Sequence, residues 1–246
     1  ERLVAMYRPA RRTPAGIDIA LLPDLSLDPQ RNAESLAALV DVDVICHLVR
    51  VFAADAVYHV AGRVDPVRDI RAFGEELQLN DLLFIEKRLE RSERESKGKK
   101  GPRVPAEPAL LRRMQQHLED GLPLSALSLD DDETRLTASY PLLTRKPVIV
   151  ALNVDEAHLQ PGALPQELEA ECSRLALAWI AVSAQGEAEL TRLEDDERRE
   201  YLAELGLDSP ALQRLTRLCY RTLGLISFFT VGEDEVRAWT IRRGAL

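Results

Sequence analysis

Pro147-Val148-Ile149-Val150-Ala151-Leu152-Asn153-Val154-Asp155-Glu156 is the stretch on which the fold turns. It opens with a run of aliphatic residues, several of them β-branched, with no alternation of polar and apolar positions. A strand of that kind is covered on both faces, and such strands belong to parallel sheets packed between helices. From Asn153 to Glu156 the chain turns polar at the strand's carboxyl end, the edge at which open α/β sheets place their ligands.

Working outward, Ile17-Asp18-Ile19-Ala20-Leu21-Leu22 and Val42-Asp43-Val44-Ile45-Cys46-His47-Leu48-Val49 have the same character. Downstream, Trp179-Ile180-Ala181-Val182 follows a helical stretch over residues 166–178. Strands of this type alternating with helices make the class α/β, a sheet with helices on both faces. The length of 246 residues, 46% hydrophobic, suffices for one substantial core with a smaller appendage. A net charge of −9 argues against coating nucleic acid by bulk electrostatics. Cys46, Cys172 and Cys219 are far apart, odd in number and without metal-ligand spacing, as reduced thiols of a cytoplasmic protein would be. Apolar runs fall well short of the roughly 20 residues of a membrane span. The first residue is Glu rather than Met, so the chain is expected to begin inside a longer protein.

Between the second and third strands the pattern changes. Phe73, Leu77, Leu82, Phe84, Ile85 and Leu89 recur at helical spacings among charged residues. Ser96-Lys97-Gly98-Lys99-Lys100-Gly101-Pro102-Arg103-Val104-Pro105 then interrupts the helix, and a second one resumes at Pro108 and ends at Gly121. Two amphipathic helices with a basic tip predict an antiparallel hairpin projecting from the sheet domain. Its charges read as ordinary helix solvation in preference to a dedicated partner surface. Asp130-Asp131-Asp132-Glu133 reads as a helix start rather than a metal cage. Further on come acidic helical residues to Leu205, a stop at Gly206 and a helix over residues 209–223. Leu225-Ile226-Ser227-Phe228-Phe229-Thr230-Val231, a turn, and Val236-Arg237-Ala238-Trp239-Thr240-Ile241 then predict a β-hairpin, which would be marginal alone in water.

Several of these strings resemble one family, the YchF/Obg-like ATPases. Gly62-Arg63-Val64-Asp65-Pro66-Val67-Arg68-Asp69-Ile70 and Ile85-Glu86-Lys87-Arg88-Leu89-Glu90-Arg91 resemble the entry to that family's hairpin. Leu223-Gly224-Leu225-Ile226-Ser227-Phe228-Phe229-Thr230 with Glu235-Val236-Arg237-Ala238-Trp239-Thr240 resembles the start of its TGS domain. With Asn153-Val154-Asp155-Glu156 the likeness runs almost from end to end. The resemblance implies a Ras-like P-loop NTPase sheet over residues 1–72 and 141–205, an inserted coiled-coil hairpin over 73–140, and a connecting helix with the start of a TGS domain over 206–246. It further implies a protein that binds and hydrolyses ATP, accepts GTP, uses Mg²⁺ and associates with ribosomes.

On that basis Asn153 and Glu156 occupy the places where GTPases use Asn-Lys-x-Asp, whose Asp accepts two hydrogens from guanine. The longer Glu fits guanine poorly, while an Asn amide can bond to purine N7 and the exocyclic edge. The base site is therefore expected at Asn153, Val154 and Glu156, with Ser183 and Ala184 supplying backbone N–H groups from the loop after the fourth strand. Read without the family, N-x-x-E is a solvated loop and Ser183-Ala184 a plain strand-to-helix turn. His47, His59, His117 and His158 are scattered and suggest no catalytic group.

The phosphate half is missing. No G-x-x-x-x-G-K-[ST] occurs in the 246 residues, so they hold no cradle of backbone N–H groups, phosphate Lys or hydroxyl for Mg²⁺. The family's switch II pattern, Asp-x-Ala-Gly-Leu, aligns with Leu21-Leu22-Pro23-Asp24-Leu25. Leu21 replaces the Asp that holds the metal, Asp24 replaces the mobile Gly, and Leu25 falls near the family's hydrophobic residue. Two readings follow: an ATP-preferring nucleotide-binding protein without appreciable hydrolysis, or a degenerate NTPase-fold scaffold that acts through its hairpin.

Overall fold

The computed structural model describes residues 2–23, 25, 32–54, 56–97, 106–160 and 162–244, with the side chains of residues 95–97 and 106 left aside. In chain order the elements are α1 (Arg2–Tyr7), β1 (Arg11–Thr13), α2 (Ala33–Ala38), β2 (Ile45–Arg50), α3 (Pro66–Lys97), α4 (Ala106–Glu119), α5 (Asp131–Leu136) and β3 (Val148–Asn153). They continue with α6 (Gln166–Arg174), β4 (Ala178–Val182), α7 (Ala184–Leu190), α8 (Asp195–Glu204), α9 (Ala211–Thr222), β5 (Leu225–Val231) and β6 (Glu235–Arg242).

Strands β2, β3 and β4 form a parallel sheet in that order. Alternation along the strands divides their side chains between two faces; both are covered over β3, whereas β2, expected to be buried on both sides, leaves Cys46 and Leu48 exposed on its second face. One face carries Val49, Val150 and Leu152 against Ile70 of α3 and Leu168 and Cys172 of α6. The other carries Ile149, Ala151 and Ile180 against Leu218 and Cys219 of α9. This is the two-sided burial that the aliphatic run at residues 148–152 requires. His47 stacks on Phe73 with ring centroids 4.1 Å apart, and burial holds its imidazole down to about 4, so it is uncharged at neutral pH.

Residues 17–22 do not form the strand that their composition suggests. Residues 14–23 carry no regular structure, and Ile19 and Leu21 are 67% and 96% exposed. Leu22 touches the cluster around Leu36, Leu39 and Ile45. An apolar run supplies only side chains; a strand also needs a neighbouring edge for its backbone groups, and among the described residues none pairs with this segment. The helix expected over 166–178 ends at Arg174, because Ala176 adopts φ 51°, a left-handed conformation that a helix cannot continue through.

Helix α3 begins at Pro66, seven residues before the apolar spacing that opens at Phe73, and the local chemistry explains the earlier start. Proline at the first helical position loses no bond, and the Asp65 carboxylate accepts the Arg68 N–H at 3.1 Å. Along α3 and α4 partners run in opposite directions: Gln78 reaches the Gly121 carbonyl, Arg88 reaches Glu107 at 2.6 Å and Glu93 reaches Arg112. Ile85, Leu111 and Met114 are wholly buried between them, each worth about 1.5–3 kcal/mol of hydrophobic stabilisation. The basic tip at residues 98–105 lies outside the described residues. Asp130 begins α5 with a reciprocal capping box to Glu133, as the acidic run suggests.

One buried group ties this helical pair to the sheet. Asp81 of α3, with no exposed surface, accepts the N–H groups of Leu143 and Thr144, both at 2.8 Å, and the Thr144 hydroxyl at 2.7 Å. Burial pushes its carboxyl pKa up, and these donors together with the Asn80 amide at 3.4 Å pull it back, the net being upward. The turn they hold leads directly into β3. A second tie is Glu171 of α6, clasped by the guanidinium forks of Arg71 and Arg174.

The hairpin of β5 and β6 is antiparallel, as expected, but it does not stand alone. β1 pairs parallel with β6, giving a second sheet in the order β1-β6-β5. That partner strand, Arg11-Arg12-Thr13, is short and charged and carries no strand signature.

Candidate functional site

Asn153 closes β3, opposite Arg50 of β2 and Val182 of β4. Arg50 donates to the carbonyls of Phe52, Ala54 and Val57 at 2.9–3.1 Å and so fixes the loop leaving β2 at the same edge. The Asn153 side chain crosses to the neighbouring loop, where its Oδ1 accepts the Ala184 N–H at 3.1 Å. Asparagine is well suited to this place: one end of its amide accepts from backbone, while its Nδ2 group remains a donor. No described residue accepts from that Nδ2.

Ser183 is buried and caps α7, its Oγ accepting the Gly186 N–H at 3.1 Å. Glu156 opens the short turn Glu156–Leu159, which Asp155 caps by accepting the His158 N–H at 3.2 Å. The Glu156 carboxylate lies over the first turn of α7: a Cβ at Gly186 would sit 3.1 Å from its Oε1 and 3.4 Å from the Ser183 Oγ. Gly186 leaves the room that brings the two loops together.

Four of the five expected base-site residues therefore converge on one point. Asn153, Glu156, Ser183 and Ala184 meet where the carboxyl ends of β3 and β4 approach α7. The Val154 side chain is buried instead in the core cluster that holds Val150, Leu152 and Leu168, so only its backbone could face a ligand. Its N–H is held by the Val182 carbonyl at 2.8 Å.

Tyr201, from α8, had no signal in the sequence. Its hydroxyl donates to Glu156 Oε1 and lies 3.2 Å from Glu189 Oε2. The hydrogen bond to Glu156 pushes the phenol pKa up, so Tyr201 keeps its proton and stays a donor. One of the two Glu156 oxygens is thereby engaged from within the chain.

The switch II residues do not gather at this edge as a metal site. Leu21 offers no oxygen and is 96% exposed, Leu25 is half-buried in irregular chain, and Asp24 lies outside the described residues. Among the described residues no three His, Cys, Asp or Glu side chains are placed to share a metal ion. The described residues of this stretch, Leu21 and Leu25, offer no ligand for the Mg²⁺ that the switch II pattern implies. No described helix is long and apolar enough to cross a membrane. A cavity of about 770 Å³ lies between β4 and α9, and one of about 290 Å³ beside Leu124 and Arg145; Asn153 lines neither.

The chain matches no protein-family model. It is 33% identical over 249 residues to the ribosome-binding ATPase YchF of Haemophilus ducreyi, covering 100% of this chain and 68% of that protein. It is 32% identical over 252 residues to the ribosome-binding ATPase YchF of Bacillus subtilis, covering 99% and 68%. The Obg-like ATPase 1 of Caenorhabditis elegans is 32% identical over 250 residues, covering 98% and 63%. Among solved structures, the Schizosaccharomyces pombe YchF GTPase superposes with a TM-score of 0.80 at 29% identity, over 99% of this chain and 68% of that one. The parallel sheet, the long helical pair and the Asn153–Glu156 edge thus come with whole-length similarity, and the chain belongs to the YchF/Obg-like ATPase family.

Proposed function

We propose that these residues form the base-recognising part of a purine nucleotide site that prefers ATP to GTP and hydrolyses neither appreciably. The observation that carries the reading is the Asn153 amide, whose Oδ1 is anchored by Ala184 and whose Nδ2 is left to donate to a purine N7. Glu156 explains the preference. A carboxylate that reads guanine must accept two hydrogens at once, and its Oε1 already accepts from Tyr201. Guanine would have to displace that bond, while adenine asks for no such pair.

Hydrolysis is another matter. These 246 residues by themselves hold no phosphate-cradle motif and have Leu21 in place of the metal-holding carboxylate, so acting alone they lack the electrostatic stabilisation of phosphoryl transfer, a loss on the order of a thousandfold or more in rate. The relatives named for ribosome binding support a ribosomal partner and a cytoplasmic setting for the intact protein. The β1-β6-β5 sheet supports reading residues 206–246 as the start of a TGS domain, and the α3–α4 pair supports an inserted hairpin over 73–140. A scaffold reading has one observation in its favour: Leu79 and Leu83, one helical turn apart on α3, are 45% and 48% exposed.

Titration of a fluorescent ATP analogue, with ATP and GTP as competitors, tests the reading. ATP should compete better than GTP, and Asn153→Ala should weaken ATP roughly tenfold. Equal competition, or an Asn153→Ala variant that binds normally, contradicts it.

A further inference from the structure

We infer that the cavity between β4 and α9 is a second, independent site, for a ligand of metabolite size bearing two or more phosphate groups. β4 is an edge strand of its sheet, and α9 packs beside it through Leu215, Leu218 and Cys219. The space left between them, about 770 Å³, is of the size that holds small molecules.

Its charge is opposite to that of the chain. Arg214, Arg217 and Arg221 all line it, in a chain with a net charge of −9. Their spacing of three and four residues places them on one stripe of α9. Asp208 is the acidic residue in the wall. Arg214 is fixed in place, its Nη2 donating to the Ala181 carbonyl at 2.8 Å. Its Nε is buried and has no acceptor among the described residues. Buried donors are rarely left so, and an unexplained one beside a cavity points to a missing acceptor. The Arg221 side chain makes no hydrogen bond or ion pair among the described residues, whereas Arg217 is engaged by Asp208 at 2.9 Å and Ser209 at 3.1 Å.

Phosphate suits this set. The guanidinium fork matches phosphate oxygens two at a time, and Arg is weakly hydrated enough to give up water for them. Arg214 and Arg221 are seven residues apart, about 10 Å along the helix axis, a span better matched by a chain of phosphates than by one. None of these residues belongs to the Asn153 edge.

Trp179 in the cavity wall provides the readout. In a Trp239→Phe background its fluorescence is titrated with pyrophosphate, inorganic phosphate, ATP and a single-stranded oligonucleotide. Pyrophosphate should give a saturable change stronger than that from inorganic phosphate, weakened by added salt. Arg221→Gln, a surface change that leaves the fold intact, should weaken it roughly tenfold. Asp208→Asn, which releases Arg217, should strengthen it, and Asn153→Ala should leave it unchanged. The inference is overturned if pyrophosphate does not saturate below about 10 mM, if Arg221→Gln binds as before, or if the oligonucleotide alone binds.

Discussion

Replacing Asp81 by alanine should loosen the join between the helical pair and the sheet. The carboxylate is fully buried and accepts four hydrogens, two of them from the backbone at 2.8 Å. Alanine leaves both N–H groups buried without an acceptor, at about 1–3 kcal/mol each, so a loss of about 3–5 kcal/mol is expected. For a chain of this size that corresponds to a fall in Tm of roughly 6–20 °C. Asparagine keeps one acceptor oxygen and should cost about 1–2 kcal/mol. Thr144→Val removes the third donor and also the acceptor of the Leu124 N–H at 3.2 Å. Its effect should be far from additive with that of Asp81→Asn, by about 1 kcal/mol in a double-mutant cycle. Urea denaturation followed by circular dichroism measures all four variants. An alanine variant within about 0.5 kcal/mol of the parent would refute the reasoning, since surface changes fall in that range.

Glu171→Gln removes the charge clasped by Arg71 and Arg174. Their hydrogen bonds hold the Glu171 pKa well below the ordinary carboxylate range. A depressed folded-state pKa gives stability that is present above the unfolded value near 4.5 and lost as pH falls below it. The glutamine variant should therefore be less stable at pH 7 and show a shallower loss on acidification, measured by thermal melts between pH 3 and pH 7. Leu111→Ala, at a wholly buried position between α3 and α4, should cost about 2–5 kcal/mol by urea denaturation without changing nucleotide affinity. Tyr201→Phe releases the Glu156 carboxylate and should narrow the preference for ATP over GTP in competition titrations; an unchanged ratio would remove Tyr201 from the account of specificity.

The parallel sheet was legible chiefly from β3, whose aliphatic run over residues 148–152 is buried on both faces, while β2 leaves Cys46 and Leu48 exposed on one of its faces. The long helices were legible from their apolar spacing, although the first turns of α3, from Pro66 to Ala72, were not. What could not be read was whatever depends on a partner distant in the chain. Residues 17–22 look like a strand but pair with no edge among the described residues; Arg11-Arg12-Thr13 does not look like one and pairs with β6 across more than two hundred residues. At the site, Asn153 and Glu156 could be placed at a sheet edge from the run before them. The Ala184 N–H that fixes Asn153 and the Tyr201 hydroxyl that engages Glu156 could not, because a hydrogen bond to a residue 31 or 45 positions away leaves no local pattern. The arginine stripe of α9 was hidden for the same reason, since an amphipathic helix shows its charges without showing which cavity they line.

Comparison of adenosine with ATP tests the central claim most directly. If Asn153 reads the base and these residues lack a grip on the phosphates, the two should bind the Asn153-dependent site with affinities within a few-fold of each other, and Asn153→Ala should weaken both alike, as measured by calorimetry. An ATP affinity at that site about a hundredfold above that of adenosine, equivalent to roughly 3 kcal/mol of phosphate recognition, would contradict it.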